Sequence, residues 1–347
     1  MSRALALGSA DGALSTFEKQ VDQVKSTLTQ LDNVLQRMNL VLGSIGESLG
    51  VASEDFHLWT LDESQTEELV KKALDLGITF FDTANCYAHG TSEEYLGRAL
   101  KNLSVARDKV VLASKVYFNE GHLSAKAIAR EIDGTLSRLG TDYLDLYIIH
   151  RFDKDTPPEE TMEALHKLVV AGKVRALGAS AMYGYQFAKL QATAEKNGWT
   201  KFVSMQNHYN LLYREDEREL IPICKESNVA LTPYSPLAAG RLCRAEWTSE
   251  SERSRTDKVA RAKYDGTEET DKQIVARVAE LAAQKGCTMT QISLAWHFAK
   301  GITSTLIGAT KETYFEDAAG AFSVKLSAED IAYLEEPYLP HKVVGAL

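Results

Sequence analysis

Eight short apolar runs recur along this chain from residue 40 onward, at 40–43, 78–82, 110–116, 143–149, 174–179, 202–206, 230–233 and 304–308. Read as strands, they do not alternate cleanly between apolar and polar residues, so both faces of each have to be covered. Amphipathic helical stretches lie between them. Asp62-x-x-Gln65 has the form of a capping box and is followed by Leu69, Val70, Ala73 and Leu74 on one face. Ile128, Ile132, Leu136 and Leu139 make a second stripe, and Met162, Leu165, Leu168 and Val169 a third. Buried strands joined by helical crossovers specify a parallel sheet coated with helices, and eight is the number that closes a (β/α)8 TIM barrel. The rival α/β architecture, a doubly wound open sheet, is not supported, because no Gly-x-Gly-x-x-Gly follows the first strand. The expected organisation is a barrel over residues 38–347 preceded by a helical extension over 1–37.

That extension has its own pattern. Phe17, Val21, Val24, Leu28, Leu31, Leu35 and Met38 fall at alternating steps of four and three, an a/d seam of about three heptads. A seam this short needs a partner surface. Docking across the barrel's N-terminal face is the expected arrangement; homo-oligomerisation through residues 17–38 and a disordered leader are the alternatives. Lys+Arg 39 against Asp+Glu 48 gives a net charge of −9, which argues against nucleic acid or an anionic membrane as partner. The four cysteines are scattered without a CxxC, so neither a disulfide framework nor a metal site is expected. No apolar stretch approaches the ~18–20 residues that span a bilayer, and no signal-peptide core opens the chain, so a cytoplasmic location is expected.

Three polar residues stand where apolar strands end. Asp82 closes Phe80-Phe81-Asp82, Lys115 closes Ala113-Ser114-Lys115, and His150 closes Tyr147-Ile148-Ile149-His150. Tyr87 lies five residues past Asp82, within reach of the barrel mouth. Singly, each has a plain structural explanation: a helix cap, a solvated amine, a satisfied core imidazole. Together, at three successive strand ends, they point to catalysis, because these barrels carry their active sites at the C-terminal face.

Gly77-Ile78-Thr79-Phe80-Phe81-Asp82-Thr83-Ala84-Asn85-Cys86-Tyr87, Ala113-Ser114-Lys115-Val116 and Asp145-Leu146-Tyr147-Ile148-Ile149-His150-Arg151 resemble the signatures of the aldo-keto reductase superfamily. Gly178-Ala179-Ser180, the run Met205–Asn210, Pro233–Leu237 and Ile307–Lys311 extend the resemblance in order along the chain. Within the superfamily it is most similar to the aryl-alcohol dehydrogenase and versiconal hemiacetal acetate reductase-like group. The resemblance implies NADPH-dependent reduction of a small-molecule aldehyde or ketone, aromatic or cyclic. A free phenol has a pKa of about 10 and donates poorly near neutrality; a lysine beside it eases proton release. The implied roles are therefore Tyr87 as proton donor, Lys115 as its tuner, Asp82 as holder of the lysine and His150 as positioner of the carbonyl oxygen. For the cofactor the resemblance implies Ser180 and Gln206 at the carboxamide and Tyr234 stacked on the nicotinamide. Ser235, Leu237, Gly240 and Arg241 would meet the pyrophosphate, Thr310 and Lys311 the 2′-phosphate, and Asp317 the adenine. Ala181 and Ala318 stand where many members have Asn. A non-catalytic NADPH-binding regulatory subunit on the same barrel, like the potassium-channel β subunits, is the alternative; those typically hold Asn where this chain has His150.

Overall fold

The computed structural model describes residues 40–43, 61–249 and 252–345. The heptad seam, the 1–37 extension and the docking or pairing expected of it lie outside these residues. Eight parallel strands make one sheet: β1 (Leu40–Gly43), β2 (Phe80–Asp82), β3 (Val111–Val116), β4 (Leu144–Ile149), β5 (Val174–Ser180), β6 (Phe202–Gln206), β7 (Ala230–Leu231) and β8 (Thr305–Ile307). They pair in the order β7-β6-β5-β4-β3-β2-β1-β8. The ends of this series also meet. Ser304 N donates to Leu231 O at 3.1 Å and Leu306 N to Pro233 O at 3.0 Å, which joins β8 to β7 and closes the barrel. Contact with β6 runs on past β7, Thr232 N donating to Met205 O and Tyr234 N to Asn207 O, both at 2.9 Å.

The lack of alternation in sequence has the expected cause. Phe80, Ala113, Leu146, Ile148, Ala176 and Leu306 cluster together from five strands, while their neighbours Phe81, Leu112, Tyr147 and Leu177 are equally buried on the other face, under helices. Gly178 is required inside: a Cβ there would lie 2.6 Å from Ser204 Oγ and 3.0 Å from Ile148 Cγ1. The helix Glu63–Asp75 starts with the anticipated capping box, Asp62 Oδ1 accepting from Gln65 N at 2.9 Å and Gln65 Oε1 accepting from Asp62 N at 3.1 Å. The helices Thr91–Asn102 and Ala125–Leu139 approach closely at Gly97, where a Cβ would stand 2.5 Å from the Leu139 carbonyl oxygen.

The connection after β7 carries the short helices Glu252–Thr256 and Lys258–Tyr264. It is drawn together by Arg241, whose Nη2 donates to Asp265 Oδ1 at 2.6 Å. The same guanidinium lies 5.2 Å from the Trp247 ring and 5.0 Å from the Tyr264 ring. Among the described residues no helix is long and apolar enough to cross a membrane.

Candidate active site

Side chains at alternate positions of a strand share a face, so the inward set that begins with Phe80, Ala113 and Ile148 ends, at the C-terminal rim, with Asp82, Lys115 and His150. Ser180 and Gln206 continue it on β5 and β6. The sequence therefore had to place these five polar groups at one mouth once the barrel closed.

Lys115 is the hub and is fully buried. Its Nζ donates to Asp82 Oδ1 at 2.5 Å, to the Thr83 carbonyl at 2.9 Å and to Tyr87 OH at 3.4 Å. Asp82 also accepts from Gln206 Nε2, at 3.2 Å to Oδ1 and 3.4 Å to Oδ2. Such a charge pair holds in the interior only when further hydrogen bonds satisfy both ions, as they do here. Tyr87 opens a 3-10 turn, Tyr87–Gly90, in which Ala88 and His89 take φ of 45° and 55°. This tight return after β2 brings the phenol back over the rim. The Tyr87 and His150 rings meet edge to face with centroids 5.7 Å apart. Burial, with the nearby cations Lys115 and Arg151, holds the His150 imidazole well below its ordinary pKa, so the ring is neutral. Cys86 Sγ lies 3.9 Å from His150 Nδ1, and burial pushes its thiol up to about 11, which keeps it protonated.

The remaining polar capacity can be read against a dinucleotide. Ser180 Oγ donates to the Gln206 carbonyl at 2.8 Å, and Gln206 Nε2 is committed to Asp82. Both side chains keep acceptor capacity and Gln206 Nε2 a second N–H, which suits the NH2 and carbonyl of a carboxamide. Tyr234 lies parallel to His208, centroids 5.2 Å apart at 8°, and His208 in turn stacks on Tyr213 at 4.3 Å. Lys263 Nζ is 4.7 Å from the Tyr234 ring centroid. Beyond Tyr234 the chain turns through Ser235, Ala238, Ala239 and Gly240 with φ of 56°, 49°, 53° and 89°. Left-handed steps of this kind shape concave backbone cradles for anions. The buried Arg241 Nε beside them has no hydrogen-bond partner among the described residues. The donor set thus fits a nicotinamide dinucleotide.

The structure does not gather all of the expected residues as tightly. Thr310 and Lys311 follow β8, Lys311 standing exposed at the start of the helix Glu312–Gly320 with Nζ 5.9 Å from the Tyr314 ring. Asp317, on that helix, accepts from Thr288 Oγ1 at 2.6 Å and so braces the helix Met289–Ala299. Sequence reasoning marked the loop 117–123 and the run Met205–Asn210 but gave no role to Phe118, whose ring packs edge-on to His150 at 5.0 Å, or to His208, the middle of the stack. It also passed over Arg244, whose Nη1 donates to the Gly240 carbonyl at 2.7 Å and which burial pulls below its ordinary pKa. An Arg three residues beyond Arg241, in the same polar stretch, was the available signal for the last.

The chain matches the model of the aldo/keto reductase family over residues 46–338. It is 39% identical over 340 residues to a versiconal hemiacetal acetate reductase of Aspergillus parasiticus, which covers 90% of this chain and 96% of that protein. It is 41% identical over 342 residues to a putative aryl-alcohol dehydrogenase of Schizosaccharomyces pombe, covering 90% and 95%. An aldo-keto reductase of Alternaria alternata is 40% identical over 328 residues, covering 86% and 89%. The closed eight-stranded barrel with polar strand ends and this likeness together make the chain a member of the aldo/keto reductase family. It is an oxidoreductase of the carbonyl-reducing kind.

Proposed function

We propose that this enzyme uses NADPH to reduce aldehydes and ketones, aromatic or cyclic ones, with Tyr87 as the proton donor. The observation that carries the reading is the position of Lys115 Nζ, held by Asp82 at 2.5 Å on one side and facing Tyr87 OH at 3.4 Å on the other. A nicotinamide held there would supply the hydride. Negative charge then develops on the carbonyl oxygen, and Tyr87 OH delivers the proton to it. The ammonium of Lys115 favours the phenolate left behind, and Asp82 keeps that ammonium in place. Neutral His150 has one ring N–H available to donate to the same oxygen, which stabilises charge where it forms. Ser180, Gln206, Tyr234, Ser235, Leu237, Gly240 and Arg241 would hold the nicotinamide and pyrophosphate. Thr310 and Lys311 would face the 2′-phosphate, and Asp317 would lie towards the adenine.

The test is NADPH oxidation with a panel of aromatic aldehydes, comparing the native chain with Tyr87→Phe. The variant should lose about 10²–10⁴ in turnover while still quenching on NADPH addition. Turnover above a tenth of native removes Tyr87 as donor.

A further inference from the structure

Arg151 directly follows His150 and is 8% exposed. A guanidinium withdrawn from water to this degree ordinarily has a carboxylate beside it, because desolvation of an unpaired charge is costly. Among the described residues no carboxylate lies within ion-pair distance of Arg151. Its hydrogen bond runs from Nη1 to the His150 carbonyl at 3.0 Å. The adjacent acid, Asp153, is occupied in its own loop: Oδ1 accepts from Asp155 N at 2.9 Å, and Oδ2 from Leu123 N at 3.1 Å and Thr156 Oγ1 at 2.6 Å. A guanidinium has five N–H donors in a planar fork. Among the described residues Nε and Nη2 of Arg151 have no hydrogen-bond partner.

The placement of this charge is informative. Arg151 Cζ is 5.7 Å from the Phe118 ring centroid, and Phe118 packs on His150. Tyr117 meets Phe118 edge to face at 5.1 Å. The same positive charge acts on Cys86, Tyr117, His150 and His208, groups that follow β2, β3, β4 and β6. Arg151 thus stands at the C-terminal end of β4, with its guanidinium against the His150 carbonyl and near the Phe118 ring that packs on the His150 imidazole.

We propose that Arg151 is the anion-recognition residue of the substrate crevice and that preferred substrates are aldehydes or ketones bearing a carboxylate. The fork of Arg151 receives the carboxylate in a two-point contact, Phe118 and Tyr117 flank the organic body, and the carbonyl oxygen reaches Tyr87 and His150. The inference rests on the reductase reading above and adds a substrate class to it.

The experiment compares 3- and 4-carboxybenzaldehyde with their methyl esters, using NADPH at neutral pH. For at least one acid–ester pair the native enzyme should show about a tenfold higher kcat/KM on the acid, expressed mainly in KM. Arg151→Met should lower that acid-over-ester ratio about 10- to 100-fold, and Arg151→Lys should restore part of it. Equal kcat/KM for acids and esters in the native enzyme, or an unchanged ratio in Arg151→Met, overturns the proposal. Should Arg151→Met fail to fold, inhibition of ester reduction by benzoate and benzamide in the native enzyme decides. Benzoate should be the tighter competitive inhibitor by about tenfold, and equal inhibition overturns the proposal. Reduction of the esters without acid preference leaves the reductase reading standing and removes only Arg151. Failure to reduce any of the four aldehydes removes the reductase reading and this inference with it.

Discussion

Lys115 and Lys311 show how differently one residue type behaves at two depths. Lys115 is a buried ammonium whose geometry is set by three acceptors, Asp82, the Thr83 carbonyl and Tyr87 OH. Lys311 is exposed, at the start of the helix Glu312–Gly320. If Lys311 meets the 2′-phosphate, Lys311→Ala should weaken NADPH about tenfold or less, since charge-assisted bonds at a wet surface are partly screened. NADH binding should scarcely change. Fluorescence titration with both dinucleotides checks this, and equal losses place Lys311 elsewhere. At this scale the sequence was informative wherever a polar residue interrupted an apolar strand, which is how Asp82, Lys115 and His150 stood out. It was silent on Arg151, because its lack of a carboxylate depends on Asp153 turning back to Leu123 N and Thr156. No spacing encodes that choice.

At the scale of elements, strand positions were legible to within a residue or two, since burial on both faces leaves an unbroken apolar run. The aromatic column Tyr213–His208–Tyr234 was not legible, because its members become parallel only when the turn after β6 folds beneath the end of β7. Helix packing offers a sharper test. Gly97 lets the helices Thr91–Asn102 and Ala125–Leu139 touch backbone to side-chain-free backbone, and a methyl group would arrive 2.5 Å from a carbonyl oxygen that cannot rotate away. Gly97→Ala should therefore destabilise by about 1–3 kcal/mol through overpacking, despite the better helix propensity of alanine. Denaturant melts measure this. A stabilised variant would show that the two helices are free to separate.

For the molecule as a whole, buried imidazoles govern the response to acid. His150, His208 and His297 are each held below the ordinary value, burial being the first cause, His297 down to about 3. In the unfolded chain they accept a proton near pH 6.5. Below that pH the unfolded state binds more protons than the native one, so stability falls as pH falls, by about 1.4 kcal/mol per unit for each histidine. His341 acts in the opposite sense: half-buried, its pairing with Asp271 at 3.1 Å raises it, and its contribution is present in acid and lost as pH rises through its folded value. Asp216, pushed up to about 7 by burial, also opposes the three, because in this range the native state holds a proton that the unfolded chain has released. With three groups against two, urea midpoints should drop from pH 7 to pH 5. His297→Asn should flatten that dependence by about one proton. An unchanged slope in this variant would mean that His297 is already protonated in the native state.

The seam that closes the ring has a kinetic meaning as well. β1 pairs with β8, Leu40 opposite Thr305, so the two strands that complete the circle come from opposite ends of the barrel sequence. During synthesis the first strand waits, with an unpaired edge, until nearly the entire chain has left the ribosome. Long-range pairings of this kind are slow because loop closure must precede any reward from contact. The waiting β1 edge, rather than the catalytic rim, is thus where nascent chains are most open to pairing with one another.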